Sequence, residues 1–208
     1  ILMDNNWDKY IIEGTNVLKN KLGITDKETL EQKEKELVLP HLAFLHLNPI
    51  LTVPSAEGLK DIHQFLFSDL YSWAGQYRTC TLRKNTYNFT DPSLIEEELK
   101  SVIERYSNEI DRVQTKDEYA FVLAPFYYDL IRVHPFREGN GRSIREFLRE
   151  VVLLKNKTLP FEVELDYTKV DKENMLKGTA YRYFFPSMLE LEFSKGLVPL
   201  EKEKKNTK

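Results

Sequence analysis

The sequence predicts an all-α protein, a helical bundle in one domain that carries a single small β-hairpin. Three observations lead there. Apolar residues recur at intervals of three and four, the period of a helix with one buried face; Tyr119, Val122, Leu123, Phe126, Tyr127, Leu130 and Ile131 form the clearest run. Alternation at period two is confined to residues 75–90. A composition of 41% hydrophobic and 12% aromatic residues over 208 positions supports a sizeable core and excludes a chain disordered throughout. The expected domain covers 1–200, with its core at about 55–195; residues 201–208 are polar and read as a frayed tail or a cut linker.

The elements follow in order. Residues 26–38 alternate charges, with Leu30 and Leu37 two turns apart, and predict a largely solvated helix with a thin apolar seam. Ser55 caps a helix running to about Phe67, with Leu59, Ile62, His63 and Leu66 on one face. Gly75 opens the hairpin region; Tyr77, Thr79 and Thr81 alternate, Lys84-Asn85 turns, and Tyr87 and Phe89 close it. Asp91-Pro92 starts a helix whose early Glu96, Glu97 and Glu98 suit the helix dipole. Asp117 to Val133 is helical and must end near His134, which precedes proline and is pushed out of the helical region. A further helix begins within 139–142 and runs to about Leu154, followed by a loop to Pro160. Residues 168–185 and 187–195 predict two last helices separated by Pro186.

Several function classes drop out. Cys80 is the sole cysteine, so a disulfide framework and a multi-cysteine zinc site are excluded. No apolar run reaches the roughly 20 residues of a membrane span, and no signal-peptide pattern opens the chain. A net charge of −3 argues against a nucleic-acid polymer as partner. That total conceals a local excess: of ten arginines, Arg132, Arg137, Arg142, Arg145 and Arg149 fall within 132–149.

This cationic stretch contains the segment that carries chemistry, His134-Pro135-Phe136-Arg137-Glu138-Gly139-Asn140-Gly141-Arg142-Ser143-Ile144-Arg145. Gly139 and Gly141 permit backbone conformations that turn N–H groups toward one point, an anion nest leading into a helix N-terminus. Arg142 and Arg145 lie three residues apart and add charged forks suited to phosphate oxygens. Glu138 would repel a bare phosphate; a divalent cation between them removes the conflict, and Mg²⁺ commonly takes one carboxylate plus substrate phosphates. His134 offers an imidazole suited to general-base work near neutral pH. The set reads as a nucleoside-triphosphate site with its own base, without the Walker or GxGxxG patterns. Each feature alone is ordinary: a histidine at a helix end is usually packing, Gly-x-Gly is common, and paired arginines are usually solvated. Their conjunction is what carries the reading.

The segment matches the motif HPFx(D/E)GNGRxxR of the Fic family at His134, Pro135, Phe136, Glu138, Gly139, Asn140, Gly141, Arg142 and Arg145. Residues 66–78 (LFSDLYSWAGQYR) resemble its LFxDxYxWAGxxR pattern, and 15–24 (TNVLKNKLGI) resemble the opening of bacterial Fic toxins and secreted effectors. The resemblance extends over roughly residues 10–195 and implies the Fic fold, with ATP as substrate and Mg²⁺ as cofactor. It implies transfer of AMP to a protein Ser, Thr or Tyr hydroxyl, with His134 as base and Glu138 on the metal. Gly139, Asn140 and Gly141 would cradle phosphate, Arg142 would meet the β-phosphate and Arg145 the γ-phosphate. Residues 78–89 would form the flap that pairs with an extended target segment, Lys84 being its usual lysine and Asn85 standing where glycine is commoner. Tyr181 or Tyr183 would border the adenine or simply pack in the core.

Alternatives remain open at this level: transfer of another phosphate-containing group, or a silent Fic module that only binds. Fic enzymes are commonly restrained by a helix bearing (S/T)xxxE(G/N). The nearest match here, Thr15-Asn16-Val17-Leu18-Lys19-Asn20, has lysine in place of the glutamate. A separate small antitoxin carrying that motif is therefore the expected partner besides the target protein. The expected location is the cytoplasm, with delivery into a host cell as the alternative.

Overall fold

A computed structural model describes residues 8–84 and 87–200. Asn85 of the hairpin turn and the 201–208 tail lie outside the described residues. The predominantly helical expectation holds. The first helix, α1 (Lys27–Leu47), starts at Asp26, whose carboxylate accepts the Thr29 N–H at 2.8 Å. It runs past the expected end at 38, straight through Pro40. The proline removes one helical N–H, but packing beyond it outweighs the loss. Leu45 is fully buried, and its carbonyl accepts from Arg149 Nη2 at 2.9 Å. The seam is thin, as expected: Leu30, Val38 and Leu45 are buried, whereas Leu39, Phe44 and Leu47 are exposed.

The next helix, α2 (Ala56–Phe67), is capped by Ser55, whose Oγ accepts the Gly58 N–H at 3.0 Å, and buries Leu59, Ile62, His63 and Leu66. The hairpin is smaller than predicted. Its strands are β1 (Arg83–Lys84) and β2 (Tyr87–Asn88), antiparallel with Arg83 opposite Asn88 and Lys84 opposite Tyr87. Residues 77–82 are not strand, because Arg78 anchors them elsewhere. Its guanidinium, 1% exposed, donates to the carbonyls of His134 (2.8 Å), Cys80 (2.8 Å), Thr90 (2.5 Å) and Val133 (3.2 Å). Its backbone N–H donates to the Pro135 carbonyl at 2.9 Å. Arg78 thus ties this segment to the end of α4, the Thr79 N–H donates to the Tyr10 hydroxyl at 3.2 Å, and cross-hairpin bonding resumes at Leu82, whose carbonyl accepts from Phe89 N–H at 3.1 Å.

That helix is reached through α3 (Ile95–Ile110), which a short 3₁₀ turn at Pro92–Leu94 introduces with Asp91 accepting the Ser93 N–H. The central element α4 (Lys116–Val133) begins at the Thr115 cap and ends at His134. It packs against α3, against α5 (Asn140–Lys155) and, later in the chain, against α7 (Ser187–Gly196). Phe126 of α4 stacks on Tyr106 of α3 and meets Phe147 of α5 edge-on, so aromatic contacts tie the three helices.

Two corrections concern the C-terminal part. Strands β3 (Val163–Leu165) and β4 (Leu197–Pro199) pair antiparallel where no strand was expected; three residues are too few for a period-two pattern to stand out. Residues 168–185 are not one helix. A 3₁₀ turn at Tyr167–Lys169 precedes α6 (Lys172–Ala180), which Asp171 caps through the Asn174 N–H at 2.8 Å. Among the described residues no helix is long and apolar enough to cross a membrane.

The helix α5 also fastens the N-terminal region. Arg149 joins Glu146 at 2.6 Å besides the Leu45 carbonyl, and Glu150 accepts the N–H groups of Ile50 and Leu51 at 2.9 and 2.6 Å.

Replacing Arg78 with methionine leaves these carbonyls buried without a donor. Urea unfolding is expected to show a loss of about 3 kcal/mol or more, with a smaller loss for Arg78→Lys, which keeps the charge but not the fork.

Candidate active site

The segment 134–145 joins the C-terminus of α4 to the N-terminus of α5, and the fold brings the predicted residues of that segment to one place. His134 ends α4 with φ 51° and ψ 60° and is the one non-glycine residue with positive φ among those described. Arg78 holds its carbonyl in that turn. Its Nδ1 lies 3.2 Å from the Ile131 carbonyl. A carbonyl can only accept, so Nδ1 carries the proton and Nε2 keeps its lone pair. The Phe89 ring stacks on the imidazole at 3.9 Å between centroids. Burial lowers the His134 pKa to about 4, the Ile131 hydrogen bond opposes that, and the charges of Arg78 and Lys84 lower it further. The imidazole is therefore neutral at neutral pH.

The loop is closed by a reciprocal amide pair. Asn140 Oδ1 accepts the Phe136 N–H and Asn140 Nδ2 donates to the Phe136 carbonyl, both at 2.8 Å. The Asn140 side chain thus closes the loop, and its backbone N–H stands at the opening of α5, where the first turn supplies no carbonyl. Phe136 is fully buried beneath, its ring stacked on His63 at 3.8 Å. Gly139 sits at φ 82°, and a Cβ there would lie 2.5 Å from the Phe67 ring, so both the backbone and the space require glycine. Gly141 differs from expectation: its φ is not positive, and its missing side chain instead leaves room for Arg145, whose Nη1 would be 3.2 Å from a Cβ.

Glu138 is the exposed carboxylate of the loop. Its Oε1 accepts the Gly139 N–H at 2.9 Å and lies 3.8 Å from Arg142 Nη2. Among the described residues no cluster of three or more metal-type side chains exists. A lone, accessible carboxylate beside an anion nest is the donor set that fits Mg²⁺ arriving with phosphates. Arg142 lies over the Phe67 ring at 4.7 Å and pairs with Glu34 of α1 at 2.5 Å. Arg145 neighbours the Tyr127 hydroxyl, whose pKa burial raises and Arg145 lowers. Glu34, Tyr71, Arg137, Glu138 and Arg142 line one groove of about 600 Å³. Lys84 stands exposed on β1, close enough for its charge to act on His134. Tyr181 and Tyr183 are exposed, which removes the core-packing reading for both.

Sequence reasoning assigned no role to His63, which is completely buried. Its Nδ1 accepts the Gly75 N–H at 2.9 Å, so Nε2 must carry the proton, which it donates to the Glu138 carbonyl at 3.0 Å. One ring therefore ties the 75 turn to the motif loop. Arg78, Tyr71 and Glu34 were likewise without roles. The first two stand at fixed positions of the 66–78 pattern, which was the available signal; Glu34 is indistinguishable from the charges around it.

Residues 53–152 match the model of the Fic/DOC family. A probable protein adenylyltransferase Fic of Salmonella typhimurium is 31% identical over 147 residues, covering 70% of this chain and 72% of that protein. The chain belongs to the Fic/DOC family. Protein adenylyltransferase VbhT of Bartonella schoenbuchensis is 28% identical over 85% of this chain, which spans only 36% of VbhT. Among Fic structures, the N-terminal Fic domain of a Bep effector from Bartonella quintana, with bound ADP, superposes with a TM-score of 0.83 at 25% identity, covering 93% of this chain and 96% of that one. BepC of Bartonella tribocorum, with bound AMPPNP, shares the fold at a TM-score of 0.81 and 24% identity.

Burial lowers the His63 pKa from 6.5 to about 4. The unfolded chain takes up this proton below about pH 6.5 and the folded chain does not, so stability is full above 6.5 and falls as pH drops toward 4. His63 alone is expected to remove about 2–3 kcal/mol between pH 7 and 4.5. Denaturant titrations at both pH values, on wild type and His63→Gln, measure it; the variant is expected to lose less stability across that interval.

Proposed function

We propose that this Fic chain transfers AMP from ATP to a hydroxyl of a target protein. The observation that carries the reading is the orientation of His134. Its Nδ1–H is held by the Ile131 carbonyl, so a basic Nε2 is left beside the helix opening that suits phosphate. Relatives named protein adenylyltransferase support the same chemistry, as do Fic structures with bound ADP or AMPPNP.

His134 Nε2 takes the proton of a target Ser, Thr or Tyr hydroxyl. The oxygen attacks the α-phosphorus, and the bond to the bridging oxygen breaks with pyrophosphate leaving. The backbone N–H groups of Asn140 and Gly141 cradle phosphate at the start of α5. Arg142 meets the β-phosphate and Arg145 the γ-phosphate, neutralising charge on the leaving group. Glu138 is the residue that would hold Mg²⁺, which when bound screens the phosphate charges. The neutrality of His134 suits a base that must accept a proton at the start of each turnover.

The target docks as an added strand along the hairpin flap at 78–89, with Lys84 beside the nucleotide. Asn85 belongs to the same contact by family resemblance. The absence of a complete (S/T)xxxE(G/N) in the sequence supports restraint by a separate antitoxin carrying it. The chain acts in the cytoplasm or, like the VirB-translocated effectors it resembles in fold, after transfer to a host cell.

Incubation with α-labelled ATP and a bacterial or host lysate is expected to label one or a few proteins. His134→Ala is expected to reduce labelling at least about a hundredfold. Label arriving instead from the γ-position would replace AMP transfer by phosphate transfer. The pH profile gives an independent check. Because the lowered pKa keeps His134 deprotonated down to about 4, kcat/KM is expected to stay level from pH 8 to 6, where a histidine of ordinary pKa would already lose most of its base form by pH 6.

A further inference from the structure

We infer that Glu34, on α1 and outside the family-matched residues 53–152, is a positioning residue for the nucleotide site. It orients the Arg142 fork and keeps it off Glu138. The inference rests on the nucleotide-binding part of the reading above.

Arg142 meets two carboxylates through the same nitrogen. Its Nη2 lies 2.5 Å from Glu34 Oε1 and 3.8 Å from Glu138 Oε1. The Glu34 contact is built in on several sides. The Tyr71 hydroxyl donates to Glu34 Oε2 at 2.6 Å. Tyr71 is itself buried and stacks on Trp73 at 4.3 Å. The guanidinium rests on the Phe67 ring at 4.7 Å, and Phe67 is buried against His63. The side chains of Glu34 and Arg142 are 13% and 24% exposed, so water screens the pair only in part. A guanidinium has five N–H donors; Glu34 engages Nη2 and leaves donors for an incoming phosphate.

The consequence for the site concerns Glu138. It lies in the loop just before α5, with Oε1 already 3.8 Å from Arg142 Nη2. With Glu34 neutralised, Glu138 is the nearest carboxylate to that guanidinium. Arg142 would then swing onto it, and the carboxylate suited to Mg²⁺ and the arginine suited to phosphate would satisfy each other. Glu34 holds them apart. The opposing effect is electrostatic: a carboxylate this close to the Arg142 fork also repels phosphate, and on that ground alone its removal would tighten nucleotide binding. The two effects predict opposite signs, so measurement decides.

The test compares wild type, Glu34→Gln and Tyr71→Phe by calorimetric titration with ATP and Mg²⁺ and by steady-state labelling. Glu34→Gln is expected to weaken ATP binding about tenfold and to raise the Mg²⁺ concentration needed for half-maximal rate, with kcat changed much less than KM. Tyr71→Phe is expected to shift both in the same direction by a smaller factor. Tm serves as the control for a merely structural role, and Glu34→Gln is expected to hold it within about 2 °C. Unchanged or tighter ATP binding in Glu34→Gln, or an unchanged Mg²⁺ requirement, overturns the inference. If Glu34→Gln does not fold, Tyr71→Phe decides by the same criteria. A wild type that binds ATP and shows the Glu34 effect but labels no protein fails the AMP-transfer reading alone. A wild type that labels protein while Glu34→Gln matches it fails the positioning inference alone.

Discussion

A single buried guanidinium holds the architecture of the site together. Arg78 is solvated mainly by carbonyls, two of them, Val133 and His134, from the end of α4, with the Asp91 carboxylate acting on it only through its charge. The last carbonyls of a helix carry partial negative charge and need donors, and a forked cation supplies several at once. The same contacts stop the helix, hold His134 in the left-handed region and draw the backbone around Arg78 away from strand pairing. The position of His134, the end of its helix and the shortness of the hairpin strands are thus three results of one side chain.

Around that anchor the chemistry is divided between two helix termini of opposite polarity. His134, the proposed base, sits at the C-terminal end of α4, where Arg78 quenches the dipole. The proposed phosphate cradle is the N-terminal end of α5, where the dipole is left available. Only the loop from Pro135 to Gly139 separates them, and its shape is held from within by the Asn140–Phe136 amide pair and from outside by His63 on the Glu138 carbonyl. Both histidines have tautomers dictated by backbone partners, one with Nδ1 protonated and the other with Nε2. A rigid loop with assigned protons needs little reorganisation when substrate arrives.

How much of this could be read in advance depended on the range of the interaction. The α4 and α5 helices and the Ser55 and Thr115 ends follow local rules, and local patterns found the two helices and the Ser55 cap. The motif residues 134–145 are contiguous, so their convergence required no tertiary knowledge. The misreadings share a non-local cause. α1 continues through Pro40 because Arg149, more than a hundred residues on, takes the Leu45 carbonyl. The alternation at 77–81 signals a strand, but Arg78 binds the end of α4. β3 and β4 pair across a long separation with too few residues for a pattern. Glu34 reads as one charge among many on a solvated helix until its partner is seen.

The grip of α5 on residues 45–51 bears on how this domain can be divided. The helix whose first turn is the proposed phosphate cradle uses its later turns to hold the end of α1 and the connection to α2, through Arg149 on the Leu45 carbonyl and Glu150 on the Ile50 and Leu51 N–H groups. A fragment cut at residue 53, where the family match begins, would remove those donors and strand a buried carboxylate without its hydrogen bonds. The smallest transplantable unit is therefore longer than the recognisable one: a graft or chimera of this enzyme family has to carry α1 with it, as structural ballast at one end and as the source of Glu34 in its middle.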